Sequence, residues 1–375
     1  MRYLIMSDSF KGTMSSEEAN QIIKDAIRLY DQEAHIITRA IADGGEGTLK
    51  AFSEMIAGSF VMVEVSDLGF NLIKAPLFIS SDKDIAVIEM ASVAGLGLKK
   101  KEQTPDLTTT FGVGELIMHA YRLGAKSIMV GCGGSATHDA GAGMMAACGV
   151  RFSDDQGRQF IPTGKTLKDI VAIDTSHVDK NLFQLNIVAL TDVNNPLFGK
   201  QGAAYIYASQ KGADETMVKS LDENTIHFDE IVKEQLKKDV AHLPKTGAAG
   251  GLSYGLMVLC DASLKSGIDT MLDLCHVDDL MSDADIIITG EGKLDKQSLE
   301  GKTVIGIAQK AKNLTKVIAF VGQYEGDKQL YLDAGLHEII ETNPDHLPFD
   351  QIKDQSKDDL VVAVHTWIKK YMNKN

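Results

Sequence analysis

The sequence predicts an α/β protein: a Rossmann/flavodoxin-like parallel-sheet domain interrupted by a second, inserted α/β domain. Three observations carry that expectation. Both ends of the chain alternate short apolar runs, small-residue loops and helical stretches, the order of a parallel sheet with crossover helices. The middle has a different texture, with several Gly-rich loops and one long charged helix. Loops that pair acids with glycines follow the strand runs directly, and open α/β sheets bind ligands beyond the carboxyl ends of their strands.

The elements follow in order. RYLIMS reads as the first strand and DSFKGTM as its loop. A helix comes next, opened by a capping box of Ser15 and Glu18. Its apolar stripe is Ala19, Ile22, Ile23, Ala26, Ile27 and Tyr30 at helical spacing. HIITRAI, ADGGEGT and LKAFSEMIA repeat the strand, loop and helix. Near the other end DIIITG is a strand run, EGKLDKQSLEGK its loop and TVIGIAQKAK a helix. VIAFVG, KQLYLDAG, HEIIET and LVVAVHTWIKKYM complete about five such units across both ends, a number that suits a doubly wound sheet. The expected domains are 1–75 plus 271–375, discontinuous, and 76–270, inserted.

A chain of 375 residues is long for one core. Its 52 acidic against 38 basic residues give a net charge of −14, which repels nucleic acid and anionic membrane. No apolar run approaches the ~20 residues of a membrane span, and the N-terminus lacks a secretory pattern. A cytoplasmic location is expected, with no nucleic-acid or membrane partner, as a monomer or homodimer. Cys132, Cys148, Cys260 and Cys275 show no zinc-ligand spacing and read as buried free thiols.

GCGGSATHDAGAG (131–143) lies between a strand run and a helical run. Gly131, Gly133 and Ala136 satisfy the G-x-G-x-x-A form of the dinucleotide fingerprint. Its expected acid falls on Asp154 or Asp155, inside VRFSDDQGRQF, which reads as a turn between extended segments. GKT at 164–166 and at 301–303 lacks the first glycine of a Walker A loop. The remaining reading is an anion held by backbone N–H groups at a helix start; the bland one is a loop made small for packing. Other strand-end loops add Asp8 and Lys11; Asp43 and Glu46; Asp192, Asn194 and Asn195; Lys211; and Glu291, Lys293 and Asp295. Carboxylates without clustered histidines suit Mg²⁺ with phosphate oxygens, and lysines with helix N-termini suit phosphoryl transfer. From the residues alone the reaction class is phosphoryl transfer onto a small acceptor.

SDSFKG, IADGGEGT, MASVAGL, TTFGVGELI, GGSATHDAG, DVNNPL, QKGA, GAAGGL and TGEGKLDKQS together resemble the bacterial type I glycerate kinases. The blocks run in order from about residue 6 to about residue 300. The resemblance implies ATP-dependent, Mg²⁺-assisted phosphorylation of D-glycerate, with 2-phosphoglycerate favoured over 3-phosphoglycerate. It also implies a site in the cleft between the two domains. On that basis Asp192 is the expected general base, with Asp8 and Asp295 as rivals, and Lys11 contacts the transferring phosphate. Glu291 and Asp295 are expected to hold Mg²⁺. Gly133, Gly134, Ser135, Thr137, Asp43, Asn194 and Lys211 are expected to bind phosphate or substrate. The family usually has Pro at Ser7, Asn at His138, Gly at Ala140, Arg at Lys293 and Thr at Ser298. Two other classes stand beside the kinase: an NAD-linked oxidoreductase acting on a small hydroxy acid, and a non-catalytic sugar-acid binder.

Overall fold

A computed structural model describes residues 1–42, 44–45, 47–274, 277–296, 298–300, 302–311 and 314–373. Contacts divide the chain into two compact units. The first is Met1–Asp43, Lys50–Met55 and Gly267–Asn375; the second is Gly44–Leu49 and Ile56–Ser266.

The first unit begins with β1 (Arg2–Ile5), helix Ser16–Arg28 and β2 (His35–Thr38). The capping box forms as expected: Glu18 N–H donates to Ser15 Oγ at 3.2 Å, and Ser15 N–H donates to the Glu18 carboxylate at 3.0 Å. Each bond satisfies an N–H that the first helical turn leaves without an internal partner.

The second unit carries β3 (Gly58–Ser66), β4 (Leu72–Ser80), β5 (Ile85–Glu89), β6 (Ser127–Gly131), β7 (Arg151–Ser153), β8 (Gln159–Phe160), β9 (Ala172–Asp174), β10 (Asn186–Leu190) and β11 (Ser263–Lys265). Six of them form a sheet in the order β11-β10-β6-β5-β4-β3. β5, β6, β10 and β11 run parallel, while β3 and β4 are antiparallel. β8-β7-β9 is a separate antiparallel sheet. The sequence reading places the first boundary at 75/76. The structure pairs β4 with β5, so residues 58–75 belong to the second unit's sheet. This hairpin has no crossover helix, and an alternation rule built on strand–helix units does not separate it from its neighbours. Ile88, Ile128, Val130 and Ile187 pack there with Leu116 of helix Phe111–Arg122 and Leu256 of helix Ala248–Cys260.

The chain returns to the first unit with β12 (Ile286–Leu294), β13 (Lys316–Tyr324) and β14 (Glu338–Glu341). The sheet is five-stranded and parallel, in the order β14-β13-β12-β1-β2. Successive residues of β1 serve opposite faces. Tyr3 and Ile5 pack with Ala19, Ile23, Val364 and Trp367, from helices Ser16–Arg28 and Ser356–Met372. Leu4 and Met6 pack with Ile268, Leu272, Val304 and Ile305 on the other face. Both faces are therefore covered, as an all-parallel sheet requires. One loop expectation is corrected. EGKL is not a loop but the end of β12, paired with β13 as far as Leu294↔Tyr324.

Cys132, Cys148 and Cys260 are buried and unpaired; Cys275 lies outside the described residues. Among the described residues no helix is long and apolar enough to cross a membrane.

Candidate active site

In the first unit, the carboxyl ends of β1, β12, β13 and β14 open into a cavity of about 440 Å³. Asp8, Lys11, Glu291 and Asp295, which the sequence reading singled out separately, all line it, as do Lys293 and Lys302. Asp8 is buried and fixed by local bonds. Its N–H donates to Gly290 O at 2.8 Å, its Oδ1 accepts from Ser9 N–H at 2.7 Å, and its Oδ2 accepts from the Thr303 hydroxyl at 2.7 Å. Thr303 begins helix Thr303–Lys310. The GKT at 301–303 is thus no Walker loop, yet its threonine orients a cavity carboxylate. Sequence reasoning missed Thr303 because only the fold brings residues 8 and 303 together. Asp295 and Ser298 bond reciprocally: Asp295 N–H to Ser298 Oγ at 3.2 Å, and Ser298 N–H to Asp295 Oδ1 at 3.1 Å. Lys293 pairs with Glu325 at 2.6 Å on the exposed rim.

Glu291 is the electrostatic anomaly of this cavity. Its Oε1 is buried and has no hydrogen-bond partner among the described residues. Burial, and next the negative charge of Asp8, push its carboxyl up to about 8, against the pull of Ser298, Lys302 and Lys11. Two carboxylates sharing a low-dielectric wall repel each other unless a cation or proton intervenes. Among the described residues no group of three His, Cys, Asp or Glu could hold a metal ion. A Mg²⁺ that arrives with phosphate oxygens needs only one or two carboxylates, so the orphaned oxygen and its acidic neighbour fit that ion.

Gly133, Gly134, Ser135, Thr137, Asp192 and Asn194 lie in the second unit, beyond the carboxyl ends of adjacent strands β6 and β10. Lys211 lies in the same unit at the end of the 3-10 turn Ser209–Lys211. The glycines of 131–133 have a packing explanation. A Cβ on Gly131 would stand 2.6 Å from Gly44 O, and one on Gly133 2.4 Å from Gly45 Cα. The Gly133 N–H donates to Gly44 O at 2.9 Å. Gly44 and Gly45 therefore press backbone on backbone against Gly131 and Gly133, which only glycine permits. That contact accounts for the G-x-G spacing without a dinucleotide. Asp154 and Asp155 sit in the turn between β7 and β8, with Asp154 binding Arg158.

Lys211 is 2% exposed, and its ammonium donates to Ser135 Oγ at 2.7 Å and Thr137 O at 2.8 Å. Burial pushes it down to about 7, against the attraction of Asp139. In this arrangement Lys211 and Ser135 bond each other. Asp139 is buried and accepts from the N–H groups of Thr110 (2.7 Å), Gly141 (3.1 Å) and Gly143 (3.3 Å). It ties the loop to the start of helix Phe111–Arg122. The Thr225 hydroxyl donates to Leu221 O at 2.7 Å, so its oxygen accepts from His138 Nε2 at 3.2 Å. That order leaves His138 Nδ1 an unpartnered acceptor, and Thr137 Oγ1 is likewise buried without a partner among the described residues. Burial and the Lys211 charge push His138 down to about 3, so the ring is neutral.

Asp192 is half-buried just beyond β10, and Asn194 is exposed. Lys245, which sequence reasoning passed over, donates to Thr191 O at 3.0 Å beside Asp192. Asp43 and Glu46 lie outside the described residues.

The comparisons with known proteins agree with one another. The Glycerate kinase family model matches residues 3–372. A "Glycerate kinase" of Halalkalibacterium halodurans is 37% identical over 374 residues, covering 98% of each chain. A "Glycerate 2-kinase" of Escherichia coli is 39% identical over 342 residues, 91% of this chain and 90% of its own. Among solved structures, a putative glycerate kinase 2 from Salmonella typhimurium LT2 superposes with a TM-score of 0.83 at 34% identity, covering 100% of this chain and 99% of that one. A whole-length family match, relatives of this identity and a shared fold lead to one conclusion: the chain belongs to the glycerate kinase family.

Proposed function

We propose that the enzyme transfers the γ-phosphoryl group of ATP to D-glycerate, with Mg²⁺, and favours 2-phosphoglycerate over 3-phosphoglycerate. The observation that carries this reading is the convergence of Asp8, Lys11, Glu291 and Asp295 on one cavity at the strand ends. The name of the Escherichia coli relative, "Glycerate 2-kinase", supports the choice of hydroxyl. In the transfer, a glycerate hydroxyl oxygen bonds to the γ-phosphorus. The bond to the bridging oxygen of ADP breaks, and the hydroxyl proton passes to a carboxylate.

Each side chain has a defined part. Lys11 neutralises charge on the transferring phosphate. Glu291 and Asp295 hold the magnesium, with Asp8 adding charge and kept in place by Thr303. When bound, Mg²⁺ supplies charge neutralisation for the phosphate oxygens. Asp192 is the base, at the end of a buried strand and in a turn restrained by Lys245. Ser135, Thr137 and Lys211 shape the glycine loop, with Gly133 and Gly134 allowing its close packing, and Asn194 and Asp43 complete the binding loops.

The direct test is incubation with ATP, Mg²⁺ and D-glycerate, followed by ³¹P NMR of the product. A 2-phosphoglycerate resonance is expected, and absence of either phosphoglycerate would sink the reading. Replacement of Asp192 by Asn is expected to lower kcat by ~10²–10⁴-fold, the usual loss for a positioned base. A near-wild-type kcat would remove Asp192 from that role.

A further inference from the structure

We infer that the first unit's cavity seats the nucleoside end of ATP on a rigid apolar lip made by Phe349 and Leu347. The inference rests on the kinase reading for its choice of nucleotide, and it concerns a part of the cavity that phosphoryl transfer itself does not require. The cavity lining carries two chemistries: charged side chains, among them Asp8, Lys11 and Glu291, and an apolar wall of Leu347, Phe349 and Ile352 with Phe10. A three-carbon acid has no apolar face to set against such a wall. The volume of about 440 Å³ also falls within the ~300–1,000 Å³ range of pockets for much larger ligands.

The lip is built to stay in place although it is open to solvent. Phe349 is 48% exposed and Leu347 40% exposed. Asn343 clamps the turn beneath them: its Nδ2 donates to Leu347 O at 3.0 Å, and its Oδ1 accepts from Leu347 N–H at 3.1 Å. The Phe349 ring lies against the backbone of the DSFKG loop, where a Cβ on Gly12 would stand 2.9 Å from Phe349 Cζ. Gly12 is in the left-handed region at φ +82°, which also favours a residue without a side chain. The loop carrying the phosphate-contacting Lys11 therefore supports the ring as well. An exposed but immobilised aromatic ring at the mouth of a charged cavity suits stacking on a nucleobase, which every base offers. Gln323 and Thr342 also line the cavity and supply uncharged hydrogen-bonding groups, as a ribose requires.

The experiment is calorimetric titration of the full chain with Mg²⁺-ADP and, separately, with Mg²⁺-tripolyphosphate, which has the phosphates but no nucleoside. Phe349→Ala is expected to weaken ADP about tenfold, the lower range for loss of one base–aromatic stack. Tripolyphosphate affinity and the KM for D-glycerate are expected to stay within about twofold of wild type. Phe349→Trp is expected to restore ADP affinity. Equal weakening of both ligands, an unchanged ADP affinity, or a change confined to glycerate would each overturn the assignment. The kinase reading fails on a different observation. A chain that showed this ADP pattern yet made no phosphoglycerate would keep the nucleotide seat and lose the activity. A chain that made phosphoglycerate while Phe349→Ala left ADP binding unchanged would keep the activity and lose the seat.

Discussion

At Glu291 a single carboxyl makes a titration curve visible in stability. Its pKa is raised from 4.5 to about 8. Between those values the folded chain holds a proton that the unfolded chain releases, so stability falls as pH rises through that window. Glu291→Gln removes the titrating group and its charge. In metal-free buffer at pH 8 the variant is expected to melt above wild type, and the gap should shrink at pH 5. Adding Mg²⁺ with ADP should raise the wild-type Tm more than that of the variant. Equal responses would detach Glu291 from the metal. At this scale the sequence is an uneven guide. Asp8, Lys11, Glu291 and Asp295 were legible, because acids and lysines at strand ends are conspicuous. Thr303 and Phe349 were not, because only tertiary structure gives a threonine or a phenylalanine its partner. Ala140 lies between. The resemblance marks it as standing where the family usually has Gly, and the structure gives the reason, since Ala140 sits at φ +52°, where a Cβ is strained. Similarly, Ser7 N–H donates to Asn20 Oδ1 at 2.9 Å, a bond that the proline usual at that position has no hydrogen to make.

Among the elements, helix Ser16–Arg28 is the one most fully specified by local chemistry. Its Ser15–Glu18 box and its buried Ala19, Ile23, Ala26 and Ile27 were both readable in the residues. Ser15→Ala is expected to cost about 1 kcal/mol in urea unfolding, while Lys357→Ala, which removes an exposed partner of Glu18, should cost less than about 0.5 kcal/mol. If the two losses were equal, the cap would not be what holds the helix start. Elements whose form depends on neighbours were harder to read. β12 runs on to Leu294 through two glycines because β13 pairs with it, against the low strand propensity of that stretch. Helix Ala248–Cys260 is interrupted within its first turn, a break that its residues do not announce. Ala249, Gly250 and Gly251 are left-handed, at φ +56°, +66° and +90°. A Cβ on Gly250 would stand 2.1 Å from Thr137 O, and one on Gly251 2.7 Å from Ala140 Cα. The kink exists to let that helix meet the glycine loop.

At the scale of the whole molecule, among the described residues each unit has its own apolar cores, two in the first and the largest in the second. We propose that they behave as two domains. Calorimetry is then expected to resolve two transitions, with Mg²⁺-ADP raising the one that belongs to the first unit. A single transition with equal calorimetric and van't Hoff enthalpies would show that the cores unfold together. The split in outline was legible from the contrast between the ends and the middle of the chain; the place of β3 and β4 was not, since a hairpin declares its sheet only by pairing. The pairing of β1 has a further consequence, for synthesis. One edge of β1 meets β2 early, with Arg2 opposite His35, but the other waits for β12, with Tyr3 opposite Ile286. At ~5–20 residues per second a ribosome takes on the order of tens of seconds to bridge that interval. Throughout it the nascent chain has made every residue of the second unit before the strand it made first gains its second neighbour. A chain halted before Ile286 presents an open apolar strand edge, the kind of species that chaperones hold and that aggregates when they do not.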